Sequence, residues 1–218
     1  MTNMFKPIKI LKGVADKRAG LYENLGIYTP FDLLHHFPRN YIDYENPISI
    51  NEAKINENNV VAGVVLKKVP EQRIRQGLSI YKVLVTDGID NFYVVFYNNI
   101  YAQNALNEGE EYVFYGKVTF SYSNYEMNSP QYISRDSGIT LKPVYHLTAG
   151  LTNTMLCTNI RDCLKIFESE SYEFMPEDIL RDNNLCSLEY ALKNIHFPSD
   201  RSALEKARKR LIFNELLN

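Results

Sequence analysis

The chain has 218 residues, of which 45% are hydrophobic and 23% charged, values that exclude a disordered chain and favour a packed globular fold. Its formal net charge of −2 excludes a global attraction to polyanions, so any nucleic-acid site would have to be a local basic patch. The three cysteines and four histidines lack the spacing of metal ligands or of a disulfide framework. Because no apolar run is long enough for a membrane span and no signal peptide is present, we expect a cytoplasmic protein that does not bind membranes.

The first segment, residues 1–55, is predicted to be helical. The run "TPFDLLHHFP" has Thr29 as an N-cap and ends at Pro38, so it predicts a short helix. Before it, "LKGVADKRA" resembles a helix-hairpin-helix turn around Gly13, in which backbone N–H groups hold a phosphate. Ala15 stands where a second glycine is usual, so a structural role for this turn is favoured.

Residues 56–146 are predicted to form a β-barrel. Five runs are rich in β-branched and aromatic residues: "VVAGVVLKKV", "LSIYKVLVTD", "NFYVVFYN", "EYVFYGKVTF" and "YEMNSPQYIS". Between the third and fourth runs, "NIYAQNALNEGE" predicts a short helix that is capped by Asn98 or Asn99 and closed by Gly109. Five strands with a helix between the third and the fourth is the order of an OB-fold barrel.

The last segment, residues 147–218, is predicted to be helical again. "NTMLCTNIRDCLKIF" and "SLEYALKNIHFP" each carry apolar residues on one helix face. The final run, "SALEKARKRLIFNELLN", is an amphipathic helix that reaches Asn218 without a glycine or proline stop, so we expect a fragment of a larger protein. The predicted fold class is α+β, with a five-stranded OB-fold β-barrel flanked by an N-terminal helical hairpin region and a C-terminal helical linker.

Sequence motifs of common enzyme classes are missing. We find no GxxxxGK[ST] phosphate loop, no GxGxxG after a strand, no HExxH and no GxSxG. His35 and His36 are adjacent on a predicted helix and point to different faces, so they cannot hold one ligand together. The sequence therefore predicts a binding module rather than an enzyme.

A local basic patch is present between the first and second predicted strands. The run "LKKVPEQRIRQGLSIYK" has five basic residues and one acidic residue, a formal charge of five minus one, or +4. Its basic residues are Lys67, Lys68, Arg73, Arg75 and Lys82. In an OB-fold this connection is one of the loops that bind nucleic acid, whereas the alternative is a solvated hairpin with scattered charges. We predict phosphate contacts for these residues and for Lys117 in the fourth strand.

The run "VVFYNNIYAQ" ends the third predicted strand and contains two tyrosines, Tyr97 and Tyr101. Because side chains alternate along a strand, Phe96 and Tyr97 lie on opposite faces of the predicted sheet, and one of these faces must pack in the core. The two tyrosine rings are therefore either core residues or a platform for a nucleic-acid base, where stacking contributes about 1–3 kcal/mol per base.

Several strings together resemble one known family. They are "LKGVADKRAGLYENLGIYTPFDLLHHFPRNYID", "VTDGIDNFYVVFYNN", "EYVFYGKV", "PVYHLTAGLT" and "HFPSDRSALEKARKRLIFNELL". In this order and spacing they resemble the N-terminal region of the RecG family of bacterial ATP-dependent DNA branch-migration helicases. The resemblance implies an OB-fold wedge domain that splits branched DNA, such as replication forks and Holliday junctions, in recombination and repair. It implies no catalysis and no cofactor for this fragment, since ATP and Mg²⁺ would belong to the motor domains of the parent protein.

The resemblance also implies which side chains contact DNA. The family's wedge has an aromatic residue, Asn, two residues and Tyr, which match Tyr97, Asn98 and Tyr101 and would stack where the duplex divides. Tyr97 replaces the more frequent phenylalanine, and Ile100 stands where proline is frequent. Implied partners are branched DNA and, as a second candidate, single-stranded DNA-binding protein, with the chain a monomer. The alternatives are a general OB-fold binder of single-stranded nucleic acid and a protein-interaction module whose tyrosines are core.

Overall fold

The computed structural model describes residues 2–121, 123–170 and 173–217. Its strands are β1 (Asn40–Asp43), β2 (Asn58–Lys68), β3 (Gln72–Arg75), β4 (Leu78–Thr86), β5 (Asn91–Tyr97), β6 (Glu111–Ser121), β7 (Asn124–Asn128), β8 (Gln131–Ser134) and β9 (Leu141–Val144). Its α-helices are α1 (Asp16–Glu23), α2 (Pro30–His35), α3 (Ile100–Asn104), α4 (Asn153–Glu170), α5 (Glu177–Asp182), α6 (Leu188–His196) and α7 (Arg201–Leu217). Asn218, where the predicted last helix ends, lies outside the described residues.

The chain forms two compact units, which we call the barrel unit and the helical unit. The barrel unit is Asp43–Ile139, and the helical unit combines the segment up to Ile42 with the segment from Thr140 onward. The helical unit therefore contains helices from both ends of the chain. In the described ranges, no helix is both long enough and apolar enough to cross a membrane.

The barrel unit is a closed ring of five strands, in the order β2, β4, β5, β7, β6 and back to β2. Neighbours in the ring are antiparallel except β5 and β7, which are parallel. Helix α3 connects β5 to β6. This connectivity confirms the predicted five-stranded OB-fold, including the helix between the third and fourth strands of the ring.

Strand β2 belongs to both halves of the ring because its two ends pair with different strands. Asn58–Val64 pairs with β6, and Val64–Lys68 pairs with β4, with an irregularity between Val65 and Lys67. Gly63 lies where β2 changes partner. A Cβ at this position would lie 2.6 Å from Val85 Cγ1 and 2.7 Å from the carbonyl oxygen of Thr86, so only glycine fits.

The core of the barrel is built from one face of each ring strand. In β5, Phe92, Val94 and Phe96 point inward, as the alternation predicts, and the rings of Phe92 and Phe114 pack edge to face with centroids 5.9 Å apart. The buried core residues are Ile50, Ala53, Val61, Val65, Tyr81, Val83, Val85, Phe92, Val94, Phe96, Leu106, Tyr112, Phe114, Val118 and Met127.

Three details of the barrel differ from the prediction. Strand β3 was not predicted, and it pairs with β4 to form a hairpin. The fifth predicted strand is divided into β7 and β8, which both pair with β6 and are separated at Ser129, a residue with a φ of 44°. Helix α3 ends at Asn104 with Ala105 as its C-cap, so the prediction that Gly109 closes the helix is wrong. Gly109 instead occupies a turn with a φ of 84°.

The helical unit packs its helices around a second core, with β1 and β9 forming a two-stranded sheet. Helix α2 has the predicted N-cap, since Thr29 accepts a hydrogen bond from the backbone N–H of Asp32 and the Asp32 side chain completes a capping box. The turn at Gly13 has a φ of 78°, and in the first turn of the following helix Asp16 is paired with Lys9. The pair is exposed to solvent, and the structural role of the turn stays a prediction.

Candidate nucleic-acid interface

The two predicted stacking residues lie at the end of β5 and the start of α3. We call residues 97–101 the aromatic turn. Tyr97 is 45% exposed and Tyr101 is 84% exposed, whereas Phe96 is only 3% exposed. The alternation along β5 thus buries Phe96 and leaves the next ring outside. The exposure of both tyrosines excludes the alternative that they are core residues.

The two rings differ in how firmly they are held. The hydroxyl of Tyr97 donates a hydrogen bond of 2.7 Å to Oδ1 of Asn128. Asn128 belongs to β7, which closes the ring next to β5, where it pairs with Val95. One edge of the Tyr97 ring is therefore anchored to the barrel. Tyr101 lies in the first turn of α3, and its ring is available for contact with a planar partner.

Both asparagines between the tyrosines have structural tasks. Asn99 is the N-cap of α3, because its Oδ1 accepts a hydrogen bond from the backbone N–H of Ala102 at 3.0 Å. Asn98 has a φ of 50°, in the left-handed region that asparagine tolerates better than most residues. Its backbone N–H donates to the carbonyl of Ser79 at 2.9 Å, so the turn is bonded to β4.

The predicted basic loop is a hairpin. We call residues 69–82 the basic hairpin; it consists of β3, a turn at Gly77 with a φ of 79°, and the start of β4. Arg73 pairs with Ser79 and Arg75 with Leu78, and both arginines are exposed. A strand that faces solvent in this way can present its basic side chains to the phosphates of a nucleic acid.

One acidic residue reduces the charge of the basic hairpin. Glu71 is exposed, and the hydrogen bond that it accepts from the hydroxyl of Ser79 is the main cause that lowers the pKa of its carboxyl. Glu71 is therefore ionised at neutral pH and offsets one of the neighbouring positive charges. Its bond to Ser79 also ties the beginning of the hairpin to β4.

Two of the predicted phosphate contacts are engaged inside the protein. The ammonium group of Lys68 donates to the carbonyl of Asn104 at 3.2 Å, at the C-terminal end of α3. The Lys82 ammonium lies 2.6 Å from Oε1 of Glu126 and 5.4 Å from the centre of the Tyr93 ring, and its side chain is only 24% exposed. These two lysines are not presented to solvent as Arg73 and Arg75 are.

Lys67 and Lys117 are exposed on other strands of the barrel. Lys117 precedes Val118, which pairs with Met127 in the antiparallel ladder between β6 and β7. Asn128 follows Met127, so the register brings Lys117 to the level of the residue that holds Tyr97. Of the predicted phosphate contacts, the structure thus presents Lys67, Arg73, Arg75 and Lys117 at the surface.

Sequence reasoning missed the residues that connect the aromatic turn to the basic hairpin. The sequence indicated Asn98 as a helix cap and as part of the aromatic motif, but not as a contact to the hairpin, and it gave no role to Gln103. Gln103 is only 7% exposed, and its Nε2 donates to the carbonyls of Val69 at 2.8 Å and Lys82 at 2.9 Å. A signal was present, because a glutamine on the inner face of a short helix needs buried partners for its amide.

Comparison with known proteins shows which family the chain resembles. Residues 7–167 match the family model of the RecG wedge domain. The chain is 28% identical to the ATP-dependent DNA helicase RecG of Thermotoga maritima, over 96% of this chain and 27% of that protein. It is 26% identical to the ATP-dependent DNA helicase RecG of Borreliella burgdorferi, over 96% of this chain and 32% of that protein. The chain therefore spans between 27% and 32% of the length of these relatives.

A solved structure of RecG bound to a three-way DNA junction is also similar to this chain. The two superpose with a TM-score of 0.78 at 28% sequence identity, over 97% of this chain and 30% of that one. The likeness covers both the barrel unit and the helical unit, and the family match covers most of the chain. The chain belongs to the RecG wedge domain family.

Proposed function

We propose that this chain recognises branched DNA, at replication forks and Holliday junctions, and separates its strands as the wedge of a longer RecG-like helicase. The observation that carries the proposal is the aromatic turn, where Tyr97 is 45% exposed and Tyr101 is 84% exposed beside an exposed basic hairpin. The likeness to a RecG structure that is bound to a three-way DNA junction supports it.

In this proposal the wedge performs no chemical step. Each base pair at the branch point loses stacking on one side when the duplex opens, and a tyrosine ring replaces that stacking with about 1–3 kcal/mol per base. Arg73 and Arg75 hold phosphates of the diverging strands, which positions the DNA without reading its sequence. The chain needs no cofactor for this task; ATP and Mg²⁺ would serve motor domains of the longer protein.

The first experiment compares the affinity of the 218-residue chain for a three-way fork, a linear duplex and a single strand by fluorescence anisotropy. We expect the fork to bind most tightly. Tyr97→Ala and Tyr101→Ala should each remove most of this preference, because the loss of one stacked ring weakens fork binding by a factor of about 5–150. The matched control is Tyr28→Ala, which removes a tyrosine that is 59% exposed in the helical unit and should leave fork binding unchanged.

Two other outcomes would contradict the proposal. Equal affinity for the three DNAs would favour a general OB-fold binder of single-stranded nucleic acid, since exposed rings stack on any base. Absence of salt-dependent DNA binding would favour a protein-interaction module. The proposal also includes a monomeric state, which sedimentation tests, and a cytoplasmic location. It includes single-stranded DNA-binding protein as a second partner, which a pull-down with that protein tests.

A further inference from the structure

The basic hairpin and the aromatic turn are separate in sequence but joined by a dense set of hydrogen bonds. Oδ1 of Asn98 accepts from the backbone N–H of Ser79 at 2.8 Å, and its Nδ2 donates to the carbonyl of Gly77 at 2.8 Å. The backbone N–H of Asn98 donates to the carbonyl of Ser79, so Asn98 makes three hydrogen bonds to the tip of the basic hairpin. Asn98 thereby continues the ladder between β4 and β5, whose last pair is Ile80 and Tyr97.

The base of the basic hairpin is attached to the same helix that carries Tyr101. Gln103 donates from Nε2 to the carbonyls of Val69 and Lys82, which are also joined to each other by a backbone hydrogen bond of 2.9 Å. Both ends of the basic hairpin are therefore bonded to the aromatic turn and α3. The buried side chain of Gln103 binds the base of the hairpin, and the exposed side chain of Asn98 binds its tip. Strand β3 between them is exposed along its whole length and pairs with β4.

Asn98 suits this position for two reasons that no other residue combines. Asparagine tolerates the left-handed backbone that the turn requires, with a φ of 50°. Its amide also offers an acceptor and a donor at once, which match the N–H of Ser79 and the C=O of Gly77. Aspartate would keep the bond to Ser79 but would direct a second oxygen at the carbonyl of Gly77. Glycine would keep the backbone and lose both side-chain bonds.

We propose that Asn98 is a positioning residue that fixes the basic hairpin against the aromatic turn, so that Arg73, Arg75 and the two tyrosines meet a DNA branch point as one preorganised surface. This inference rests on the proposed function. Its physical basis is that contacts held in place before binding lose less conformational entropy when DNA binds. Without the side chain of Asn98, β3 keeps its pairing with β4, but the turn at Gly77 loses its two hydrogen bonds to that side chain.

The first test needs no DNA. Backbone ¹⁵N relaxation of the 218-residue chain should give order parameters of about 0.85 for the amides of Arg73, Ile74 and Arg75, as in rigid backbone. In Asn98→Gly these values should fall below about 0.6, with an intermediate result for Asn98→Asp. The control Asn58→Gly removes an exposed asparagine of β2 whose side chain donates to the Tyr115 hydroxyl at 3.3 Å, away from the basic hairpin, and it should leave these values unchanged. Unchanged order in Asn98→Gly overturns the inference.

The second test measures fork binding by the same variants. Asn98→Gly should weaken the preference for a fork over linear duplex by about fivefold to tenfold, since the arginines must then be ordered on binding. Because the arginines still contact phosphates once they are ordered, the slope of log affinity against log salt should stay close to that of the unsubstituted chain, whereas it should fall by about two units in the double variant Arg73→Ala/Arg75→Ala. Asn58→Gly should bind as the unsubstituted chain does.

The outcomes separate the two ideas. A parent chain with no fork preference contradicts the proposed function, while the relaxation data still decide whether Asn98 orders the basic hairpin. A parent chain that prefers forks, together with an Asn98→Gly variant that loses hairpin order but keeps the full preference, overturns the positioning role and leaves the proposed function intact. Loss of order and of fork preference in Asn98→Gly, with the salt slope kept, supports both.

Discussion

The side chain of His196 is fully buried in the helical unit, and each ring nitrogen has a partner. Nε2 donates to the carbonyl of Leu34 at 2.9 Å, so Nδ1 is the acceptor for the Tyr145 hydroxyl at 3.0 Å. Burial lowers the pKa of His196 from 6.5 to about 4; the bond to Leu34 acts in the opposite direction, and the nearby His35 and His36 add to the lowering. His196 is therefore neutral at pH 7, and through hydrogen bonds it joins α6 to α2 and to the residue that follows β9.

This depressed pKa makes the stability of the helical unit depend on pH. The unfolded histidine binds a proton near pH 6.5 and the folded one near pH 4, so between these values the unfolded state binds more protons. The contribution to stability is complete above pH 6.5 and is lost as the pH falls; about 2 kcal/mol should be gone at pH 5. Urea denaturation at pH 7, 6 and 5 measures the loss, and an NMR titration should show that His196 stays neutral in the folded protein.

The control for this prediction is His146→Asn, which removes an exposed histidine of the same unit. Its free energy of unfolding should fall with pH as that of the unsubstituted chain does. A free energy of unfolding that stays constant from pH 7 to pH 5 would contradict the assignment of His196 as a buried neutral residue.

At the scale of secondary-structure elements, the path of β2 is what closes the ring. A single strand pairs with β6 over one half and with β4 over the other, and at Gly63 the neighbouring strand leaves no room for a Cβ. The same strand ends at Lys68, whose backbone N–H donates to Glu108 and whose ammonium group donates to Asn104. The end of β2 therefore continues directly into the basic hairpin.

We expect Gly63→Ala to destabilise the barrel unit by about 1–3 kcal/mol, the usual cost of forcing an extra methyl group into a packed site. The added Cβ would lie 2.7 Å from the backbone oxygen of Thr86, which cannot move without disturbing the pairing of Val64 with Thr86. The measurement is the urea midpoint, followed through the barrel tyrosines. Gly20→Ala in α1 is the control: a Cβ there meets nothing within 4 Å, so the helix should gain about 0.5–1 kcal/mol. An unchanged midpoint for Gly63→Ala would refute the close-approach argument.

Local pattern was enough to predict the ring strands, the cap at Thr29 and the opposite faces of Phe96 and Tyr97, because each depends on neighbouring residues; which of the two faces is buried was left open. It was not enough for β1 and β9, which pair although they are about one hundred residues apart. Strand β3 was missed because "QRIR" has no buried face; its pairing with β4 comes from the turn at Gly77. Sequence spacing also could not separate Lys82 from the exposed basic residues, since its partner Glu126 lies on another strand.

For the whole molecule, the formal net charge of −2 contrasts with the run of +4 between residues 66 and 82. Screening is efficient beyond about 10 Å at 0.1 M salt, so DNA near the basic hairpin is governed by local charges rather than by the net charge. Lys82 is paired with the carboxylate of Glu126, whereas the ammonium group of Lys68 donates to a neutral carbonyl and keeps its full charge. Lys67, Lys68, Arg73 and Arg75 therefore dominate the local field.

Fork binding should therefore weaken with salt, and the slope should depend on a few residues. For each phosphate contact removed, the slope of log affinity against log salt should fall by about 0.9. Arg73→Ala and Arg75→Ala should each show this change, whereas Lys82→Ala should change the slope much less, because its charge is already paired with Glu126. Titrations between 50 and 200 mM salt measure the slopes. Equal slopes for the Arg73 and Lys82 variants would show that the ion pair opens on binding.

The helical unit is interrupted by the whole of the barrel unit, and this order matters while the chain is being synthesised. Leu33 and Leu34 are fully buried against a core that also contains Leu156 and Ile160. At a synthesis rate of about 5–20 residues per second the barrel takes on the order of 5–20 s to emerge, and during that interval the first helices have no partners to cover them. The barrel can complete its own ring in that time. The apolar faces of the first forty residues are thus the part of the nascent chain that a chaperone would have to protect.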